Sequence, residues 1–142
     1  MILFIKDAFM ISNNPGPIVS FPNESGHKEI TLEQVDVIQG LHIFNLNIDH
    51  LPFWAHYKIE AQDVEICYYI KQLEKMYGMG QKSMAFCSSD MSFIIEFDMI
   101  ETGHIIAAVS LKASNRGRLT FEYEFDQSFI PGIIKELQSL IE

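Results

Sequence analysis

Apolar and polar residues alternate with a period of two along most of this chain, and in only two places does the period lengthen to that of a helix. In residues 41–48, Phe44, Leu46 and Ile48 fall on one side and Ile43, Asn45 and Asn47 on the other, as a half-buried strand requires. Pro52 interrupts the pattern, which resumes over residues 53–59 with Phe53, Ala55, Tyr57 and Ile59 opposite Trp54, His56 and Lys58. Upstream, residues 1–5, 18–21 and 29–38 read as further strands. The strings Asn13-Asn14-Pro15-Gly16-Pro17 and Pro22-Asn23-Glu24-Ser25-Gly26 break them apart.

The first change of period comes after residue 60. Val64, Cys67, Ile70, Leu73 and Tyr77 recur at three- and four-residue steps, which predicts a helix over 62–77 with that stripe buried. Asp63 suits the positive end of its dipole, and Gly78 and Gly80 suit a left-handed stop. The second change is at the end of the chain. There Phe129, Ile130, Ile133, Ile134, Leu137, Leu140 and Ile141 form another stripe, with Ser128 as its expected N-cap and Pro131 in its first turn.

Between the two helices lie four strands, at residues 84–88, 92–98, 104–112 and 118–125. Glu101-Thr102-Gly103 and Asn115-Arg116-Gly117 separate the last three, each a three-residue connection ending in glycine. A three-residue loop at 101–103 pairs Phe97 with Ala107, Ile95 with Val109 and Phe93 with Leu111. A similar loop at 115–117 pairs Leu111 with Phe121, Val109 with Tyr123 and Ala107 with Phe125. Both choices put the apolar residues on one face, whereas two-residue loops would set apolar residues against polar ones. Strands, helix, meander, helix is the order of an α+β fold. The expectation is an antiparallel sheet, a meander in its C-terminal half, with both helices packed on one face. The pattern contains no internal repeat or linker, so residues 1–142 read as a single domain.

Composition narrows the function. Of 142 residues, 48% are hydrophobic and 12% aromatic, enough for a packed core rather than disorder. Nineteen acidic against 10 basic residues give a formal charge of −9. That argues against nucleic-acid and anionic-membrane partners, which bind cationic surfaces, and favours a basic one. Cys67 and Cys87 both sit in apolar stretches and are expected to be buried free thiols. Lys6 and Asp7 interrupt the apolar start too early for a signal-peptide core, and no apolar run approaches the ~18 residues of a membrane span, so a cytoplasmic location is expected.

No phosphate-binding glycine loop, nucleophile elbow or paired-cysteine metal site occurs. No catalytic residue, metal site or cofactor is expected. His42, His50 and His56 lie close in sequence, but strand parity separates His42, on the face of Phe44, from His56, on the face of Trp54. Histidines at surfaces or strand edges are the expectation. The carboxylates are more informative. The face opposite the aromatic stripe carries Glu96 and Asp98 on one strand and Glu122, Glu124 and Asp126 on another, with Ile106, Ala108 and Ser110 between. In the derived register Glu96, Ala108 and Glu124 line up, as do Asp98, Ile106 and Asp126. Such a face either keeps sheets from associating edge to edge or docks a basic partner.

The C-terminal half resembles the WapI-type immunity family over about residues 53–142. An aromatic strand runs into Phe125-Asp126-Gln127-Ser128-Phe129 and an apolar helix. Upstream come Trp54 on a strand, the helix from Asp63 to Tyr77, and a short strand leading to Asp90-Met91-Ser92-Phe93. The resemblance implies a cytosolic bacterial antitoxin that occludes the toxic C-terminal domain of a contact-delivered or secreted polymorphic toxin. It implies no catalytic residues. Toxin domains of this kind are often basic nucleases, and the five carboxylates would then take the place of phosphate. Two other readings stay open. One is a small-ligand-binding or enzymatic α+β domain with Tyr57, Tyr68, Tyr69 and His56 lining a pocket. The other is a homo-oligomeric adaptor joined through a sheet edge or an exposed Trp54 surface.

Overall fold

The computed structural model describes residues 2–4, 16–114 and 117–142. In chain order they form β1 (Ile2–Phe4), β2 (Ile18–Pro22), β3 (Lys28–Ile38), β4 (Leu41–His50), β5 (Phe53–Gln62), α1 (Asp63–Gly78), β6 (Ser83–Cys87), β7 (Phe93–Met99), β8 (His104–Lys112), β9 (Arg118–Asp126) and α2 (Ile130–Leu140). The class is α+β and the C-terminal meander is present. The strands nevertheless form two sheets rather than one, ordered β1-β5-β4-β3-β2 and β6-β7-β8-β9. Every pairing is antiparallel except that of β1, which runs parallel to β5.

The same unit occurs twice, although its two sequences do not repeat. Strands β2 to β5 form a meander followed by α1, and β6 to β9 form a meander followed by α2. Each helix packs against the first strand of the other unit, α1 on β6 and α2 on β2, and the helices pack on each other. Each also occupies the backbone edge of the strand it covers. The Tyr69 hydroxyl donates to the Cys87 carbonyl at 2.7 Å and accepts from the Cys87 N–H at 3.1 Å. The Glu136 carboxylate accepts from the Ser20 N–H at 2.8 Å. A strand edge left open invites pairing with another chain, and here a side chain from a helix closes it. The outer edges of β2 and β6, each the last strand of its sheet, are occupied in this way.

One apolar core runs through both sheets and both helices. Phe21 of β2 lies 5.9 Å from Phe86 and 6.3 Å from Phe97, ring centre to ring centre, and Tyr69 of α1 lies 4.4 Å from Phe86. Ala107 is fully buried where β8 passes beneath larger neighbours. Full burial of a Phe or Leu side chain contributes about 1.5–3 kcal/mol, and Phe21, Phe44, Phe86, Phe93, Phe97 and Phe125 are all under 2% exposed.

Several local expectations need correction. The buried face of α1 is Ile66, Tyr69, Ile70, Leu73 and Met76, while Val64, Cys67 and Tyr77 are exposed. The helix is rotated so that Tyr69 reaches β6, and this turns Val64 outward. Cys67 is therefore not a buried thiol, and Cys87 is only half-buried. The N-terminus is closed by Glu65, whose carboxylate accepts from the Gln62 N–H at 2.8 Å. Ser128 does not cap α2. Asp126 accepts from the Ser128 N–H at 2.9 Å in a single 3₁₀ turn, Gln127–Phe129, that leads into the helix. The connection at Glu101–Gly103 behaves as expected, with Gly103 at φ +78° and the pairs Phe97–Ala107, Ile95–Val109 and Phe93–Leu111. The next hairpin is two residues out of the expected register: Leu111 pairs with Leu119, Val109 with Phe121 and Ala107 with Tyr123. A slip of two preserves which face each side chain takes, so the apolar and acidic sides survive it. The turn strings at Asn13-Asn14-Pro15 and Asn115-Arg116 lie outside the described residues.

Candidate functional site

Strand alternation in β7, β8 and β9 sends Phe93, Ile95, Phe97, Tyr123 and Phe125 into the core and the residues between them outward. Two rows then cross the outer face, Glu96–Ala108–Glu122 and Asp98–Ile106–Glu124. These replace the expected alignments with Glu124 and Asp126, by the same two-residue shift. All four carboxylates are exposed, and among the described residues none makes a hydrogen bond or ion pair. Neighbouring strands lie about 4.8 Å apart, so the acids of β7 and β9 form two rails roughly 10 Å apart with the uncharged Ile106 and Ala108 of β8 between them.

Asp126 does not belong to the rails. It pairs with His104 at the strand end and turns its carboxylate to the Ser128 N–H. That bond, with the Ser128 side chain and His104, holds its carboxyl below the usual carboxylate range. His104 also lies 3.6 Å from Glu24. At the other end of the face Lys112 and Arg118 are paired in register and exposed. They line a shallow cavity of about 440 Å³ together with Met91, Ile94, Glu96 and Glu122, so that end of the face carries both signs of charge.

The β6–β7 turn sets the border of this surface. Asp90 Oδ1 accepts from the Ser88 hydroxyl at 2.9 Å, the Ser92 N–H at 3.0 Å and the Ser92 hydroxyl at 2.7 Å. Ser88, 1% exposed, in turn accepts from the Phe93 N–H at 3.0 Å. Partial burial pushes the Asp90 carboxyl up, but these bonds outweigh it and leave it below its ordinary value. The turn they tie down holds Met91 at φ +64°, a left-handed conformation that costs a side-chain-bearing residue about 1–2 kcal/mol. Met91 is 57% exposed and also borders a second cavity, about 570 Å³, that runs along α1 past Val64, Tyr68, Ala85 and Cys87. Burial, then the charges of Glu96 and Glu65, push the Cys87 thiol up.

The residues expected to line a ligand pocket do not come together. Tyr68 and Tyr69 border the α1 groove, His56 lies on the outer face of the other sheet beside Trp54 at 5.0 Å, and Tyr57 packs against the core. Burial lowers the His56 pKa. Not all of the histidines lie at surfaces or edges. His42 is buried, its ring bridging the Gln34 and Asp63 side chains and so fastening β4 to the start of α1. The buried Glu29 receives His50 Nδ1 and, at 3.1 Å, the Asn23 amide. Tyr123, pushed well above its usual pKa by burial and then by Glu29, has no hydrogen-bond partner for its hydroxyl among the described residues. His50 stacks on Phe121 at 4.3 Å and the Glu24 N–H donates to the Glu124 carbonyl at 2.9 Å, so turns of one sheet lie against β9 of the other.

Of the groove residues, Tyr68 and Tyr69 were expected to line a pocket, whereas Met91 was missed and Val64 was expected in the core. The one legible signal for Met91 is Asp90 two residues before Ser92, the spacing of an Asx turn. Among the described residues no helix is long and apolar enough to cross a membrane.

No protein-family model matches this sequence, and no curated protein matches it. A crystal structure of Trypanosoma brucei MRP1/MRP2 is similar in fold, with a TM-score of 0.51 at 12% identity, covering 90% of this chain and 85% of that one.

Proposed function

We propose that this protein is an immunity protein, a non-enzymatic cytoplasmic antitoxin that neutralises the C-terminal domain of a polymorphic bacterial toxin by occupying its basic surface. The observation that carries the reading is the pair of rails: Glu96, Asp98, Glu122 and Glu124, exposed, unpaired among the described residues and in register on one sheet face. Four like charges side by side, with Lys112 and Arg118 at one end of the face but in no ion pair with them, are a standing cost to the folded state, and a cationic partner reduces it. The resemblance of residues 53–142 to the WapI-type family points the same way. A basic nuclease is the toxin chemistry such a face would suit, since carboxylates spaced along strands present charge as a phosphate backbone does.

The test begins with the reading frame directly upstream, which should encode a secreted protein with a basic C-terminal domain, and continues with association of that domain followed by stopped-flow at several salt concentrations. Binding at one-to-one stoichiometry is expected. The pair Glu122→Lys and Glu124→Lys should slow association about tenfold or more at low ionic strength and by much less near 0.5 M salt, roughly as screening predicts. Association that ignores both substitutions at every salt concentration removes the acidic face from the reading.

A further inference from the structure

We infer that the docking surface has two parts, and that the groove between α1 and β6 supplies the anchor for the same basic partner that the acidic face attracts. This rests on the proposal above and adds what it lacks, since exposed charges speed encounter but contribute little to holding a complex. Three observations carry it. The groove is apolar where surfaces usually are not: Val64 is 68%, Tyr68 56% and Met91 57% exposed, all lining one cavity of about 570 Å³. Met91 belongs to both cavities, so groove and acidic face are one continuous surface. Met91 is also held out in a left-handed conformation by the Asp90 hydrogen bonds. Strain of this kind persists only where the surroundings enforce it, and it clusters at functional sites.

The occupant is defined by the two chemistries it must meet. It is a protein segment that offers an apolar side chain to Val64, Tyr68 and Met91, flanked by lysine or arginine positioned over Glu96 and Glu122. Glu65, which accepts from the Ser89 hydroxyl at 2.7 Å, also lines the groove and adds a carboxylate to its border. Interfaces commonly concentrate their energy in such an aromatic and methionine centre while the charged rim sets the rate of encounter.

Met91→Gly separates anchor from fold, because a φ of +64° suits glycine and the thermal midpoint should not fall. Against the same upstream toxin domain, Met91→Gly and Tyr68→Ser are each expected to raise the dissociation rate at least about tenfold while the association rate stays within about twofold. Alkylation of Cys87, which lines the groove, should slow in the complex. Dissociation rates and Cys87 labelling unchanged by complex formation or by both variants would overturn the anchor and leave the acidic face standing. No binding by the unaltered protein would overturn the antitoxin reading and the anchor with it.

Discussion

A carboxylate on a short turn determines where Met91 points, and its contribution can be read by titration. The folded state holds the Asp90 carboxyl below its ordinary value, because Ser92 and Ser88 donate to the ionised form more than burial opposes it. A depressed folded pKa means stability that is fully present above the unfolded value near 4 and lost as pH falls through the folded one. Asp90→Ala should therefore cost about 1–2 kcal/mol in urea at neutral pH, with the difference from the unaltered protein shrinking as pH drops below about 4. A difference that is constant with pH would show that the bonds do not favour the charged form. Tyr69→Phe tests a second single group. It leaves the Cys87 N–H and carbonyl at the β6 edge without their partner and should cost about 1–2 kcal/mol. Faster amide exchange at Cys87 should accompany it, and no change in either quantity would mean water closes the edge equally well.

Helix α1 shows how periodicity locates an element without fixing its rotation. Two overlapping stripes can be drawn on residues 63–78: Val64-Cys67-Ile70-Leu73-Tyr77, and Ile66-Tyr69-Ile70-Leu73-Met76. They share Ile70 and Leu73 and differ by about a quarter turn, and the sequence offers little to choose between them. Contact with β6 chooses the second, leaving Val64 on the surface. Leu73→Ala, at 1% exposure, should accordingly cost about 2–5 kcal/mol, while Val64→Ser should stay within about 0.5 kcal/mol. Similar losses for both would return the helix to the expected rotation. The strands were more legible, because a period of two leaves only two faces to choose between. The register error at β8–β9 was a whole period, so Glu122 and Glu124 still face outward while only their partners across the sheet changed.

At the scale of the molecule, the two meander-helix units exchange their helices' contacts, so neither has a complete core alone. Thermal unfolding is therefore expected to be one transition, coincident by far-ultraviolet dichroism and by Trp54 fluorescence. Two separated transitions would show that the units fold independently. Local alternation of residue types determined most of the strands, both helices and the outward acidic face, because each depends only on a chain's neighbours a few positions away. Tertiary structure alone decided the division into two sheets, the rotation of α1, and the meeting of Met91 with Val64 and Tyr68. Those depend on Tyr69 and Glu136 closing strand edges 18 and 116 residues away, and no local pattern carries information over such separations.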